Sequence, residues 1–236
     1  MEDLKSYIDS LEIPAGEISS RREALASAAS AAAKIDGGSI IGFAENASVQ
    51  VQEDILYSTL LAQLTSDKRY DKFRSPEDWI SYYMDVMGKI GWSVNEKSSS
   101  TYHTGESAFR MDKVSIGLIE GGAPADAVAS LRSASEILAN DWRSRAGNIF
   151  QQGGSRGDSG NFQVMAAGPD SVSFGFFYFT SRDSQDNFFT ADWKTQNTRL
   201  SYRLFELRLD DSYYSYVREA VIAKLGDFIN RCISNI

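Results

Sequence analysis

The stretch from Ser171 to Asp210 constrains this chain more than any other. It reads Val172-Ser-Phe-Gly-Phe-Phe-Tyr-Phe179, then a polar break, then Phe188 to Lys194, a second break, and Arg199 to Leu209. Ten of the 28 Phe, Tyr and Trp residues lie between Phe174 and Phe205. Short aromatic and β-branched runs separated by Ser, Asp, Asn and Gln predict strands. Each ring buries roughly 150–250 Å², so a sheet this aromatic dominates the core. The stretch specifies a sheet and carries no comparable signal for chemistry.

Asn161 to Ala167 is expected to open the meander, turning at Gly168-Pro169-Asp170. Within Arg199–Leu209 the apolar residues fall on two faces, Leu200, Tyr202 and Leu204 against Phe205, Leu207 and Leu209. Either a bulge near Leu204-Phe205 restores one buried register or both faces of the sheet are covered.

Helices are expected on either side of this sheet in the chain. Leu4, Ile8 and Leu11 share a face of a short N-terminal helix. After Pro14 and Gly16, residues 17–34 follow an Ala-rich helical pattern that has high propensity and little apolar area. That segment is expected to be less firmly held than later helices, and to be the part that swings, swaps between subunits or contacts a partner. Ser39 to Phe43 reads as a strand. Val51 to Ser66 is amphipathic, with Glu53 and Asp54 suited to its positive end.

Ser75-Pro76-Glu77-Asp78 is the clearest helix start, with a capping Ser, Pro in the first turn and two acids. Trp79, Tyr82, Tyr83, Val86 and Ile90 follow at helical spacing, and Gly91 stops the run. Trp92 to Val94 is expected to be extended, and Phe109 to Ile119 alternates as a strand would. Pro124 opens a helix through Leu138, Asp141 to Phe150 returns toward the sheet, and Gln151 to Gly160 forms a Gly/Ser loop. Asp211 to Ile236 reads as one helix whose stripe includes Tyr214, Val217, Val221, Leu225, Phe228 and Cys232. The expected class is α+β: a largely antiparallel aromatic-rich sheet covered by amphipathic helices, with an Ala-rich helical arm. One domain is expected, with residues 1–38 as the arm and 39–236 as the core.

The 236 residues suffice for a core without staples. The charge, 24 Lys and Arg against 32 Asp and Glu, argues against a nucleic-acid partner, because backbone binding requires clustered cations. A single cysteine, Cys232, excludes an intramolecular disulfide and cysteine-cluster metal sites. With one histidine, His103, no typical zinc or iron site is expected, and no cofactor, an all-carboxylate metal site being left open. Absent a secretory or membrane-spanning run, a cytoplasmic location is expected, with export by a route lacking a cleaved signal left open.

Several blocks, including Asp54-Ile55-Leu56, Ser58 to Leu64, Asp67-Lys68, Tyr70-Asp71, Ile90-Gly91-Trp92, Asp112-Lys113-Val114 and Gly160-Asn161-Phe162-Gln163, resemble a family of uncharacterised proteins. The resemblance spans roughly residues 51–236. It implies one coherent domain and carries no activity or catalytic residue.

The remaining motifs read as turns or core. Gly153-Gly154-Ser155-Arg156-Gly157 fits G-x-S-x-G, and Gly157-Asp158-Ser159-Gly160 resembles the serine string of trypsin-like proteases. A nucleophile elbow needs strand before and helix after, whereas the expected order here is the reverse. A triad needs a histidine base, and the residues around His103 do not match. Arg156-Gly157-Asp158 and the sequon Asn46-Ala47-Ser48 are short matches without a secretory route. Cys232 reads as a small core residue.

Two functions compete. The first is a non-enzymatic interaction or self-assembling protein, toxin-like or structural, with a homo-oligomer or a protein partner; membrane contact is left open and not indicated. The second is a small-molecule binder or enzyme whose pocket between sheet and helices is lined by Trp79, Tyr83, Trp92 and Trp193.

Overall fold

The computed structural model describes residues 2–15 and 32–236. The expected Ala-rich helix falls mainly on residues outside that range.

Helix α1 (Glu2–Ser10) seats Ile8 in the core. Strands β1 (Ala33–Asp36) and β2 (Ser39–Phe43) form a hairpin whose two-residue turn, Gly37-Gly38, places Gly37 at φ +55°. Residues 33–36 are therefore sheet rather than the end of an arm. Ile35 and Asp36 are fully buried, and burial overrides the helix propensity of the preceding alanines.

Helix α2 (Val49–Arg69) begins earlier than its apolar face suggests, because Ser48 caps it by accepting a bond from the Val51 amide. The acids Glu53 and Asp54 thus lie beyond its first turn. Asp54 instead sits buried against Arg218, whose Nε and Nη2 reach its two oxygens at 2.7 and 2.8 Å. Helix α3 (Pro76–Lys89) starts as expected with Pro76, Glu77 and Asp78, although Ser75 makes no side-chain capping bond. Trp79, Tyr83, Val86 and Ile90 are all buried completely.

Strand β3 (Trp92–Thr101) runs seven residues past Val94. The expected strand at Phe109–Ile119 is corrected: only β4 (Ala108–Arg110) is extended, and α4 (Met111–Ile119) follows. Met111, Ser115, Ile116 and Ile119 are buried on one helical face, a period that the alternation of Val114, Ile116 and Leu118 masks. Helix α5 (Ala125–Asn140) begins after Pro124, and α6 (Arg145–Gly154) is capped by Ser144.

The Gly/Ser loop is also corrected. Gln151 to Gly154 completes α6, and β5 (Ser155–Arg156) pairs with β6 (Ser159–Ala167) across a two-residue turn at Gly157-Asp158. Gly157 at φ +67° occupies the position where a II′ hairpin turn prefers glycine.

Strand β7 (Ser171–Ser181) pairs with β6 and, on its other edge, directly with β9 (Thr198–Leu209). The expected middle strand at 188–194 is absent from this sheet. Phe188 and Phe189 lie in a turn, and only β8 (Asp192–Lys194) is extended, pairing with β4 in a separate ribbon. The C-terminal helix is broken into α7 (Asp211–Tyr214), α8 (Arg218–Leu225) and α9 (Phe228–Cys232), followed by β10 (Ile233–Asn235). Gly226 at φ +49° terminates α8. Asp210 caps α7 through the Tyr213 amide.

The main sheet runs β10-β1-β2-β6-β7-β9-β3 with β5 appended to β6. Only β2 and β6 pair in parallel along that path; every other pair is antiparallel. Helices cover both faces, which establishes an α+β fold with an aromatic sheet between two helical layers. Along β7, Phe174 and Phe176 pack with Trp79 and Tyr83 of α3, Trp79 stacking on Phe176 at 5.8 Å. Phe177 and Phe179 face the second core with Phe162, Phe188 and Trp193.

Strand β9 resolves the ambiguity in its alternation by the second route. Its pairing with β7 is regular throughout, Phe205 and Leu207 entering the first core and Leu200 the second. The bulge lies on β3, where register shifts between Glu96 and Ser98, opposite Phe205 and Leu204.

Helix α5 crosses β2 closely enough that a Cβ on Gly42 would lie 2.3 Å from the Ala127 carbonyl oxygen. Backbone on both sides leaves little room to yield. Gly42→Ala is expected to lower unfolding stability by about 1–3 kcal/mol, read as a lower urea midpoint at unchanged slope. A midpoint equal to the parent's would contradict this packing.

Candidate functional site

A buried polar network hangs from the β1–β2 hairpin. Asp36 has no solvent exposure, although it immediately precedes the turn. Thr59 Oγ1 donates to Asp36 Oδ2 at 2.7 Å, and Gln63 Nε2 donates to the Asp36 carbonyl at 3.0 Å. Gln63 Oε1 accepts from the Gly38 amide at 3.0 Å, so one side chain of α2 holds both ends of the turn. The spacing of Thr59 and Gln63, one helical turn apart, makes this double grip possible. On the other side, the Gly37 amide donates to the Cys232 carbonyl at 2.9 Å, tying the hairpin to α9.

The network extends through the sheet. Ser39 Oγ donates to Gln163 Oε1, Gln163 Nε2 to Asn161 Oδ1, and Asn161 Nδ2 to the Lys72 carbonyl, at 2.9, 3.0 and 3.0 Å. Lys72 pairs with Asp67 at 3.4 Å, and Asp67 Oδ1 accepts from Trp79 Nε1 at 2.8 Å. Asp36 Oδ1 and the Tyr83 hydroxyl have no hydrogen-bond partner among the described residues. Burial pushes the Asp36 carboxyl up to about 8, against the smaller opposing effect of the Thr59 bond. Burial also raises the Tyr83 hydroxyl well above its ordinary value, with the Asp36 charge adding to it. The Cys232 thiol is pushed up to about 11, first by burial and then by Asp36. A raised thiol is a poor nucleophile. The arrangement is suited to locking the hairpin onto α2 and α9.

The four aromatic residues singled out from sequence do not line one pocket. Trp79, Tyr83 and Trp92 are buried in the first core, whereas Trp193 is buried across the sheet in the second. Trp193 donates its indole N–H to the Phe188 carbonyl at 2.8 Å. His103 is exposed in the segment after β3. Arg156 of the Arg-Gly-Asp string donates to both Asp71 oxygens at 3.0 Å, with its guanidinium 4.5 Å from the Phe73 ring centre. Among the described residues, no group of three or more His, Cys, Asp or Glu side chains could hold a metal. Nor is any helix among them long and apolar enough to cross a membrane.

An accessible cleft of about 730 Å³ lies beyond the end of β2, between the start of α2 and α5. Its walls include Phe43, Ala47, Ala134 and Ile236, with Ser130 and Ser133 as polar points. Val49 and Ile137 flank it at 48% and 49% exposure, unusually open for large aliphatic side chains in this fold. The rim is pinned: Asp126 Oδ2 accepts from the Glu45 amide at 2.9 Å, and Oδ1 from the Ala127 amide at 3.0 Å. The Glu45 bond, followed by the Ala127 bond among its favourable contacts, holds the Asp126 carboxyl below its ordinary value. No sequence motif marks this cleft, since its residues come from four separate segments.

No protein-family model matches the chain, and no curated protein matches it. A solved structure described as "Structure of the Evf virulence factor" is similar over 99% of this chain and 91% of that one, at TM-score 0.36 and 11% identity. A likeness of that size carries no argument about this chain.

The Asp36 environment has a direct thermodynamic consequence. Because its folded value, about 8, exceeds its ordinary 3.8, the stability its neutral form supports is complete below about 3.8 and is lost as pH rises through about 8. Between those limits this one group can lower stability by up to about 1.4 kcal/mol per pH unit. Asp36→Asn is expected to remove that slope, measured by urea denaturation at several pH values from 5 to 8. Identical slopes in variant and parent would mean that Asp36 is not the proton carrier.

Proposed function

We propose that this protein acts by protein contact and self-association, with the face around the 730 Å³ cleft as the contact between two copies of the chain. The observation that carries the reading is the exposure of Val49 and Ile137 on either side of an alanine-lined groove. Small wall residues let a partner approach closely, and the two exposed aliphatics supply apolar area that water leaves on contact. A face of this kind can pair with itself about a two-fold axis, as homodimer interfaces do. A structural or toxin-like assembly would then be built from such pairs.

Light scattering across a dilution series tests it. The parent is expected to gain mass with concentration, and Ile137→Glu to weaken association at least about tenfold, equivalent to 1.4 kcal/mol. A parent that stays monomeric at every concentration, or an Ile137→Glu variant that associates as the parent does, would overturn the reading.

The cleft volume supports a second reading, a small apolar ligand, since such sites span roughly 300–1,000 Å³. A thermal-shift screen separates the two: ligand binding would raise the melting temperature of the monomer and leave its mass unchanged.

A further inference from the structure

At the other end of α2 from that cleft, the last turn of α2 meets α1 and α3 around a separate, mainly polar cleft of about 680 Å³. Lys68 and Arg69 of α2, Lys89 of α3, and Tyr7 and Tyr82 converge on it, with the carboxylates of Glu12 and Asp85 beside them. Such convergence is unexpected in a chain of net charge −8. The Arg69 guanidinium lies 4.7 Å from the Tyr82 ring centre and 5.7 Å from that of Tyr70. Those two rings meet edge to face at 6.0 Å, so they hold the guanidinium plane from two directions.

Lys89 is already engaged, pairing with Asp85 at 2.7 Å and lying 5.2 Å from the Tyr7 ring centre. The ion pair within the cleft uses Lys89, while Lys68 and Arg69 form none among the described residues. The Tyr7 hydroxyl is buried and has no hydrogen-bond partner among them either. Burial, then Tyr82 and Asp85, raises it above its ordinary value, keeping it a donor. A helix C-terminus favours cations in its last turn, which accounts for Lys68 and Arg69 being basic. It does not account for a guanidinium held between two rings beside a lysine that forms no ion pair among the described residues.

We propose that this cleft binds a phosphate-class oxyanion, with the donor edge of Arg69 as its main ligand and Lys68 completing the cradle. A planar guanidinium suits two oxygens of one phosphate group, and the Lys68 ammonium suits a third. The same chemistry is offered by a free phosphomonoester and by a phosphorylated lipid headgroup.

Titration calorimetry of the full chain with inorganic phosphate and with a soluble phosphomonoester, alongside co-sedimentation with phosphatidic-acid and phosphatidylcholine vesicles, tests the site. Saturable binding to the soluble anions, or to phosphatidic-acid vesicles alone, is expected, and which of them binds identifies the source. Arg69→Gln and Lys68→Gln, both at exposed positions, are expected to weaken that binding at least tenfold for Arg69 and several-fold for Lys68. Arg132→Gln, whose side chain pairs with Glu120 elsewhere, is expected to bind as the parent. Absence of saturable binding to every probe, or an Arg69→Gln variant that binds as tightly as the parent, would overturn the proposal.

Discussion

Phe176 and Phe177 leave β7 in opposite directions, and each of the two cores is assembled against what that strand presents. On one side Phe176 stacks on Trp79 and Phe174 meets Tyr83, which fixes where α3 lies. On the other, Phe177 stacks on Phe162 at 5.3 Å, and Phe179 contacts Trp193 at 5.0 Å. A strand buried on both faces cannot alternate apolar with polar. This explains why the run from Phe174 to Phe179 is nearly continuous and why helices are needed in two layers.

Between these layers, the hairpin β1–β2 carries polar groups into the first core. Asp36, Thr59, Gln63, Ser39, Gln163 and Asn161 are all buried, and each makes at least one hydrogen bond to another member. Bonds of this kind add little net stability individually but penalise any register that breaks them. The hairpin needs such a device because it is short and lies beside β10, also short. The ion pair of Asp54 with Arg218 does the same for α2 and α8, and losing one partner would strand a buried charge.

Strand β3 is long, and its bulge at Lys97 and run of exposed serines spoil it as a template for another strand. Lys97 is held by Glu206 at 2.6 Å, which keeps its charge on the edge. Accessible apolar surface lies instead off the sheet, where Val49 and Ile137 flank the groove, and the cationic cleft lies by α1 and α3. The helical layers, rather than the sheet edges, therefore carry the accessible features from which contact and binding are proposed.

Local chemistry in the sequence determined much of this. Pro76 with Glu77 and Asp78 started α3, and the aromatic run specified β7, because each follows from neighbouring residues. Tertiary structure decided the rest. Residues 111–119 alternate like a strand, yet the seat for Met111, Ser115 and Ile119 against the second core made them helix. The run at 188–194 holds strand-forming residues, but β9 takes the edge of β7 that a meander would have given it. Trp79 and Trp193 have the same composition signal and lie on opposite faces, since nothing local specifies which face of a doubly covered sheet a residue meets. Both clefts depend on residues distant in the chain, and only packing brings such residues together.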